Sequence, residues 1–567
     1  MGIIETDVAI IGGGPAGSTV AGFLRKYNPS IKVTIFEREV FPRDHVGESH
    51  LPIISTILNE LGVWDRVEAA EFPIKIGATY RWGSSQDLWD FDFLPHGFLE
   101  DEPRPAKYEG QRTYTAFQVD RAVYDKILLD YARELGTDVL ENVTVREVQM
   151  DGDRVTGLKT GAGDEVRAKY YVDATGHSGL IRRAAGVHVE EPSSLKNIAV
   201  WDYWRDAKWA VSLGIGGTRI QILSLGYGWI WFIPIGPDRT SIGFVCPADY
   251  YKKSGLTIEQ LYERALDEEP RLKSLVATAR RENRLTTTKD WSFVSSRMTG
   301  ENWFLVGESA GFADPILSAG MSLAHAGARE LACVIMEAER GGDLPWMCSE
   351  YQRRNEQRIR QHIRFADYWY SANHHFSELK DYTSEIAKDA GLDLSADQAF
   401  QWLGTGGFIE EDMGVAGTSL IRLDQLHQIS NKLSQNPATS AIHGFNFFVL
   451  RIKDAEQIKI ARFENGGVRA MLALRKNGKV LPIDGLFGWM MQALKQSTQL
   501  DQIMAYLGRE MTAAGYKLDV KLKARLTECL DAMVRDGWVA AKLSSNYPPV
   551  HHEVPLETTA IRTHRDD

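Results

Sequence analysis

The chain has 567 residues, 44% hydrophobic and 25% charged, the proportions of a globular protein large enough for two or three cores. Acidic side chains number 76 against 65 basic ones, and the net charge of −11 argues against wholesale nucleic-acid binding. Four scattered cysteines, Cys246, Cys333, Cys348 and Cys529, have no C-x-x-C spacing, so neither a metal site nor a disulfide framework is expected.

The N-terminus leads into a strand without a basic, apolar leader, and no apolar run is long enough to cross a membrane. The expectation is a cytoplasmic protein with no membrane partner. Fifteen tryptophans suit a protein that encloses flat molecules.

In chain order, Thr6 to Ile11 is an apolar, β-branched run that reads as a buried strand. It ends in Gly12-Gly13-Gly14-Pro15-Ala16-Gly17, with Pro15 placed to open a helix through Leu24. A second strand, Lys32 to Phe36, finishes at Glu37, which lies 20 residues beyond Gly17 and is followed by Arg38. Gly12, Gly14 and Gly17 make G-x-G-x-x-G. In that pattern Gly12 permits the tight turn, Gly14 lets the backbone approach a pyrophosphate, and Gly17 lets helix and strand pack closely. The helix N-terminus faces the phosphates, and Glu37 accepts from a ribose hydroxyl. This end is expected to bind a dinucleotide.

A polar loop, Phe41 to Pro52, precedes a helical stretch from Ile53 to Leu61. Pro73 to Gly83 alternates like a strand, with Lys75, Gly77, Thr79 and Arg81 on one side. Residues 84–110 are acidic, proline-bearing and aromatic, and read as an insertion that covers a site. Phe117 to Leu129 reads as a helix, and Val139 to Val148 with Val155 to Lys159 as a hairpin around Asp151-Gly152. Tyr170 to Gly176 is a strand ending in a second glycine turn, Asp173 to Gly176. From Ile198 to Val245 the pattern is that of an antiparallel sheet. Trp303 to Gly307 restores a buried strand that runs into a loop and a helix rich in small residues. Beyond about Gln357 the chain reads as mainly helical, closing on a winged-helix-like run and a frayed tail after Tyr547.

The nucleotide fold is thus visited three times, at the start, at Asp173 to Gly176 and at Leu305 to Gly311. That layout resembles the FAD-dependent aromatic hydroxylase superfamily. The resemblance implies an α/β fold: a discontinuous Rossmann-like FAD domain, an antiparallel substrate-side sheet and a helical C-terminal domain. Its expected boundaries are a catalytic module over about 1–365 and a C-terminal domain over 366–567. Within the module, FAD segments fall at about 1–72, 111–190 and 285–365, and the sheet at about 73–110 and 191–284. Gln118 and Arg121 match the segment near the flavin and its phosphates, and Arg43 the basic residue after the ribose acid. Gly176, Gly307, Glu308, Pro315 and Gly320 complete the implied cofactor contacts. Glu308 stands where the superfamily has Asp.

Three stretches resemble one branch, the flavin-dependent halogenases. Trp229-Ile230-Trp231-Phe232-Ile233-Pro234 matches W-x-W-x-I-P, whose indoles would wall the flavin from the substrate. Lys75 matches the lysine that receives hypohalous acid, made from flavin hydroperoxide and halide, and either holds it by hydrogen bonds or forms a chloramine. Phe312 to Gly320 matches F-x-D-P-x-x-S-x-G beside the flavin ring, with Ser318, Ala319 and Gly320 as the halide pocket. The C-terminal part is similar in layout to the chloramphenicol-biosynthesis halogenase subgroup, in which Asp290 matches an acid near the flavin. No counterpart exists to the catalytic glutamate of the tryptophan halogenases, which argues against free tryptophan as substrate.

The resemblance implies FADH2, oxygen, and chloride or bromide as co-reactants. It also implies a separate flavin reductase, because no second nucleotide fingerprint for NAD(P)H occurs. The substrate class is a phenol, pyrrole or activated acyl group, free or tethered to a carrier protein. The alternative is an FAD monooxygenase using NAD(P)H directly. Lys517, Lys521, Lys523 and Arg525 give the C-terminal run local positive charge, better suited to an acidic carrier protein than to DNA.

Overall fold

A computed structural model describes residues 2–83, 85–93, 104–105, 108, 111–289, 292–389, 440–545, 547–551 and 561–565. The chain divides into two compact units. The first holds Met1–Gly391, Phe463–Val468 and Thr559–Asp567, and the second holds Leu392–Arg462 and Arg469–Thr558.

The first unit opens with β1 (Ile3–Ile11), α1 (Pro15–Tyr27) and β2 (Val33–Phe36), as the glycine pattern predicts. After α2 (Pro52–Leu61) come β3 (Ile74–Arg81) and β4 (Leu88–Asp92), then α3 (Arg121–Glu134). Strands β5 (Asp138–Leu140), β6 (Val145–Asp151), β7 (Arg154–Thr160) and β8 (Glu165–Asp173) follow. Next are β9 (Asn197–Arg205), β10 (Gly217–Leu225), β11 (Gly228–Pro234), β12 (Arg239–Pro247) and β13 (Trp303–Leu305). Helices α4 (Ala319–Glu339) and α5 (Leu344–Ser371) close this part.

Two sheets organise the unit. The seven-stranded sheet runs β5-β2-β1-β8-β7-β6, with β13 also on β8. Its β5, β2, β1, β8 and β13 pair in parallel, so the first and second glycine turns leave the same sheet edge, after Ile11 and Asp173, which are register partners. Crevices beyond the carboxyl ends of such strands bind ligands. The ten-stranded sheet places β9, β12, β11, β10, β3 and β4 side by side. Its pairs are antiparallel except β10 with β3. Strand β3 is buried on both faces.

Two glycines explain how β1 and α1 meet. Gly12 has a φ of +105°, and a Cβ there would fall 2.4 Å from the Ala174 carbonyl oxygen. A Cβ on Gly17 would fall 2.0 Å from the Gly12 carbonyl oxygen. Only glycine fits either position.

Several expectations are corrected. The helix expected from Phe117 begins at Arg121, because Ala116 and Phe117 pair with β3 and Asp120 caps the helix by accepting from the Ala122 N–H. The supposed covering insertion contains β4, a buried strand paired to β3. The boundary at 365/366 falls inside α5, which belongs to the first unit and is tied to α4 by Arg354 and Arg358 on Glu330.

The C-terminal part is not all helix. Strands β14 (Phe447–Leu450), β15 (Glu456–Glu464), β16 (Gly467–Lys476) and β17 (Lys479–Pro482) precede α6 (Gly485–Gln496), α7 (Leu500–Ala513) and α8 (Val520–Arg535). The turns at Asn465-Gly466 and Asn477-Gly478 have positive φ at both residues, the conformation that joins hairpin strands without splaying them. Strand β18 (Val539–Lys542) pairs with β14. The second unit has its own core, including Phe448, Leu481, Phe487, Met490, Leu507, Leu526 and Trp538. Part of the tail expected to fray is β19 (Ile561–His564), antiparallel to β4.

Gly17→Ala is expected to lower stability by about 1–3 kcal/mol through overpacking. Gly214→Ala, where a Cβ would meet nothing within 4 Å, should be close to neutral. Thermal unfolding of the two variants beside the parent checks this.

Candidate active site

The nucleotide end is built from the three turns. Helix α1 starts at Pro15 with Gly14 as an N-cap that offers no side-chain hydrogen bond, so its first N–H groups face outward uncapped. Glu37 is buried, and its carboxylate accepts from the Gly13 N–H at 2.6 Å and the Glu39 N–H at 2.8 Å. Those bonds aim the carboxylate at the turn while leaving lone pairs for a ribose hydroxyl. Arg38, expected beside it, is largely exposed and pairs with Glu39. Asp173 is fully buried, but its oxygens accept from Thr175 N and Oγ1, Ile181 N and Arg182 N. It shapes the second turn rather than facing a ligand.

Around these turns lie polar groups with unfilled bonding capacity. Gln118 donates to the Thr218 carbonyl at 3.3 Å, and its buried Oε1 has no partner among the described residues. Arg121 grips Asp125 through Nε at 2.7 Å and Nη2 at 2.9 Å. Arg43 sits 3.5 Å from the same carboxylate, and its Nη1 makes no hydrogen bond to the described residues. The Glu308 carboxyl forms no hydrogen bond to the described residues, and burial raises its pKa. Gly307 has a φ of +65° and would place a Cβ 3.1 Å from the Ala16 Cβ. A cradle of glycines, two arginines, an amide and carboxylates fits a long, anionic dinucleotide with ribityl and ribose hydroxyls, as FAD is. Asp125 was missed by sequence reasoning, although the i,i+4 spacing from Arg121 signals it. Asp290 lies outside the described residues.

The second cluster joins two motifs that are 243 residues apart. Lys75 is 2% exposed, and its Nζ donates to Ser49 Oγ at 2.7 Å and lies 3.5 Å from Ser318 Oγ. Ser318 Oγ in turn donates to Ser49 Oγ at 3.0 Å. Phe93, just past β4, lies under the amine at 5.7 Å. Burial pushes the Lys75 pKa down to about 7. Ser318 adopts the left-handed conformation, φ 57°, and precedes α4 with no side-chain cap on that helix. The N–H groups of Ala319 and Gly320 therefore open onto the same space, where a 21-residue helix presents its positive end. A Cβ on Gly320 would strike the Phe312 ring at 2.5 Å. Ser49 was not anticipated; it sits in a loop whose polar residues carry no periodic signal.

The third element is the aromatic wall. Trp229 and Trp231 share one face of β11, with rings 6.0 Å apart. Gly243 on β12 faces Trp231, and any Cβ there would lie 2.1 Å from the indole. Trp231 Nε1 donates to Ser241 Oγ at 3.1 Å, and Trp229 Nε1 to the Tyr370 hydroxyl at 2.7 Å. Pro234 is the last residue of the strand. Asp314 accepts from the Ile316 N–H and so caps the short Pro315–Leu317 turn that delivers Ser318.

Glu48 is a further group that sequence reasoning did not single out. It is 2% exposed, and the hydroxyls of Tyr203 and Ser241 face its carboxyl group. Burial raises its pKa to about 7, against the lowering effect of those hydroxyls and of Arg121.

The family model for the FAD binding domain matches residues 5–366. The chain is 34% identical over 351 residues to the 1H-pyrrole-2-carbonyl-[peptidyl-carrier protein] chlorinase of Pseudomonas fluorescens, covering 60% of this chain and 78% of that protein. It is 32% identical over 328 residues to a tryptophan 2-halogenase of Chondromyces crocatus, covering 56% of this chain and 59% of the relative's length. Among solved structures, the myxobacterial chondrochloren halogenase superposes with a TM-score of 0.60 at 28% identity, over 69% of this chain and 91% of that one. CmlS, a flavin-dependent halogenase, has the same fold over 97% of this chain and 99% of its own, with a TM-score of 0.71 at 24% identity. Among the described residues, no helix is long and apolar enough to cross a membrane. On its sequence relatives and its fold together, the chain belongs to the flavin-dependent halogenases, enzymes that bind FAD.

Proposed function

We propose that the protein uses chloride or bromide to halogenate an electron-rich aromatic or activated acyl group held on a carrier protein, in natural-product assembly. The observation that carries this reading is the buried Lys75 amine, between Ser49 and Ser318 at the uncapped start of α4. Similarity to an enzyme named for a pyrrolyl carrier-protein substrate supports the tethered substrate. When bound in reduced form, FAD supplies the electrons that oxygen needs to oxidise the halide, and a separate flavin reductase provides that form. Overall, FADH2, oxygen, halide, a proton and a substrate C–H yield FAD, a carbon–halogen bond and two waters.

The residues divide the work. Gly12, Gly14, Pro15, Ala16, Gly17, Glu37, Arg43, Gln118, Arg121, Gly176, Gly307, Glu308, Pro315 and Gly320 hold the cofactor. N–H dipoles at Ser318, Ala319 and Gly320 hold the halide without a fixed cation that would bind it too tightly to release. Trp229 and Trp231, with Pro234 ending their strand, separate the two compartments. Lys75 takes the halogen from hypohalous acid: an N–halogen bond forms, the O–halogen bond breaks, and the amine's proton leaves with hydroxide as water. The substrate carbon then takes the halogen from nitrogen, and its own proton restores the amine. Glu48, whose pKa burial raises to about 7, supplies in its protonated form the proton that the overall balance consumes.

Supplied with enzymatically regenerated FADH2, oxygen, chloride and a pyrrolyl-2-carbonyl carrier protein, the enzyme is expected to add chlorine to the acyl group, read by mass spectrometry. Lys75→Met should bring product to background with FAD still bound. Folding depresses the lysine's pKa, so the unfolded chain binds the extra proton between about 7 and the ordinary lysine value. The charge therefore weighs against the fold below that range and fades as pH rises, and the methionine variant should unfold no earlier than the parent at pH 7. Steady NADPH oxidation without reductase or halide would instead support the monooxygenase reading.

Product formation should also follow a narrow bell centred near pH 7. It rises as Lys75 loses its proton and falls as Glu48 ionises. Glu48→Gln should lower turnover by about 10²-fold and remove the descending limb; a profile unchanged in shape would remove Glu48 from the scheme.

A further inference from the structure

Tyr370 stands near the C-terminal end of α5, on none of the motifs that define the site, and is 1% exposed. Its hydroxyl is bonded on both sides. It accepts from Trp229 Nε1 at 2.7 Å and donates to Asp314, at 3.2 Å to Oδ1 and 3.4 Å to Oδ2. Asp314 Oδ1 also accepts from the Ile316 N–H at 2.9 Å, fixing the turn that ends at Ser318. The ring is wedged between Trp82 and Phe376, with centroids 5.9 Å and 6.1 Å away.

We propose that Tyr370 is a positioning residue that fastens the halide loop to the tryptophan wall, so that the pocket at Ser318 and the indole of Trp229 keep one fixed spacing. The inference rests on the halide reading of Ser318, Ala319 and Gly320 given above. Three physical points support it. A phenol can accept one hydrogen bond and donate another, so it can link an indole, which only donates, to a carboxylate, which only accepts. Burial and the Asp314 charge both raise the Tyr370 pKa, so the hydroxyl keeps its proton, and remains a donor, across the working pH range. The donated bond also draws down the negative charge of Asp314, which sits four residues before Ser318 and would otherwise oppose an anion there. Without the hydroxyl, Asp314 loses one neutralising hydrogen bond and the turn loses its link to Trp229.

The test uses the FAD-loaded full chain and inorganic chloride as probe, with binding read from the width of the ³⁵Cl NMR line and competition by bromide. Parent enzyme that broadens the line in a bromide-displaceable way supports the halide reading; parent that does not would sink that reading and the tether with it. Given binding by the parent, Tyr370→Phe keeps the ring and should raise the chloride dissociation constant about tenfold, the effect of losing one or two buried hydrogen bonds. FAD affinity should not change. The ultraviolet resonance Raman band of a hydrogen-bonded indole N–H should weaken in the same variant, a change that a purely space-filling role would not cause. Trp229→Phe cuts the tether at its other end and serves if Tyr370→Phe does not fold. The double variant should bind chloride no worse than Tyr370→Phe, because both break one chain of bonds. Parent-like chloride affinity in either folded single variant overturns the proposal.

Discussion

A single buried amine constrains the rest of this active site. Lys75 lies in a strand covered on both faces, where water cannot solvate an ammonium, and its proton is correspondingly loose near neutral pH. The start of α4 adds to this. The positive end of a helix disfavours a second positive charge and favours an anion. One dipole therefore acts in two directions within a few ångströms: it opposes a charge on Lys75, and it favours an anion, as the proposed halide would be, by Ser318. The serine pair gives the neutral amine hydrogen bonds that do not depend on charge.

The surroundings keep those few atoms in place. Lys75 is held by β10 on one side and by Ala116–Phe117 on the other, so its height in the sheet is set by register. Ser49 belongs to a stretch that pairs with Gln118, the residue expected near the flavin. The amine and the nucleotide cradle thus share one piece of backbone. The indoles opposite have both N–H groups bonded, to Ser241 and Tyr370, which removes the usual penalty for burying tryptophan and fixes each ring against rotation.

How much of this could be read from residues alone depends on how far each interaction reaches along the chain. The β1–α1–β2 turn was legible because its constraints are local: glycines where a Cβ would strike backbone, and an acid at the end of the next strand. Lys75, Trp229, Trp231 and Ser318 were legible by motif, but their mutual placement was not. The Lys75–Ser318 pair spans 243 positions, and nothing in either segment encodes the other. Ser49, Asp125, Glu48 and Tyr370 escaped for related reasons. Ser49 and Glu48 lie in a loop without periodicity, Tyr370 looks like any aromatic on a helix, and Asp125 reads as an ordinary helix-face ion pair. The C-terminal strands are a different case. Their two Asn-Gly turns are local hairpin signals, but the strands joined there lack a strict alternation of buried and exposed residues.

The reach of the two kinds of similarity separates what is fixed from what is free. The family model stops at residue 366, and the pyrrole chlorinase aligns over 60% of this chain, whereas the fold match to CmlS runs over 97% at lower identity. The first unit contains positions that tolerate little substitution, such as the glycine turn, where a Cβ would strike backbone. The second needs only a core of apolar side chains with hairpins and helices around it, and many sequences satisfy that. A halogenating site can therefore be held in common by proteins with different substrates, provided that the parts meeting the substrate lie outside the atoms that hold FAD and Lys75. In this chain the glycine turn and the Lys75 cluster are separate groups of atoms, joined through the Ser49–Gln118 bridge. The choice of substrate has to be made by other residues.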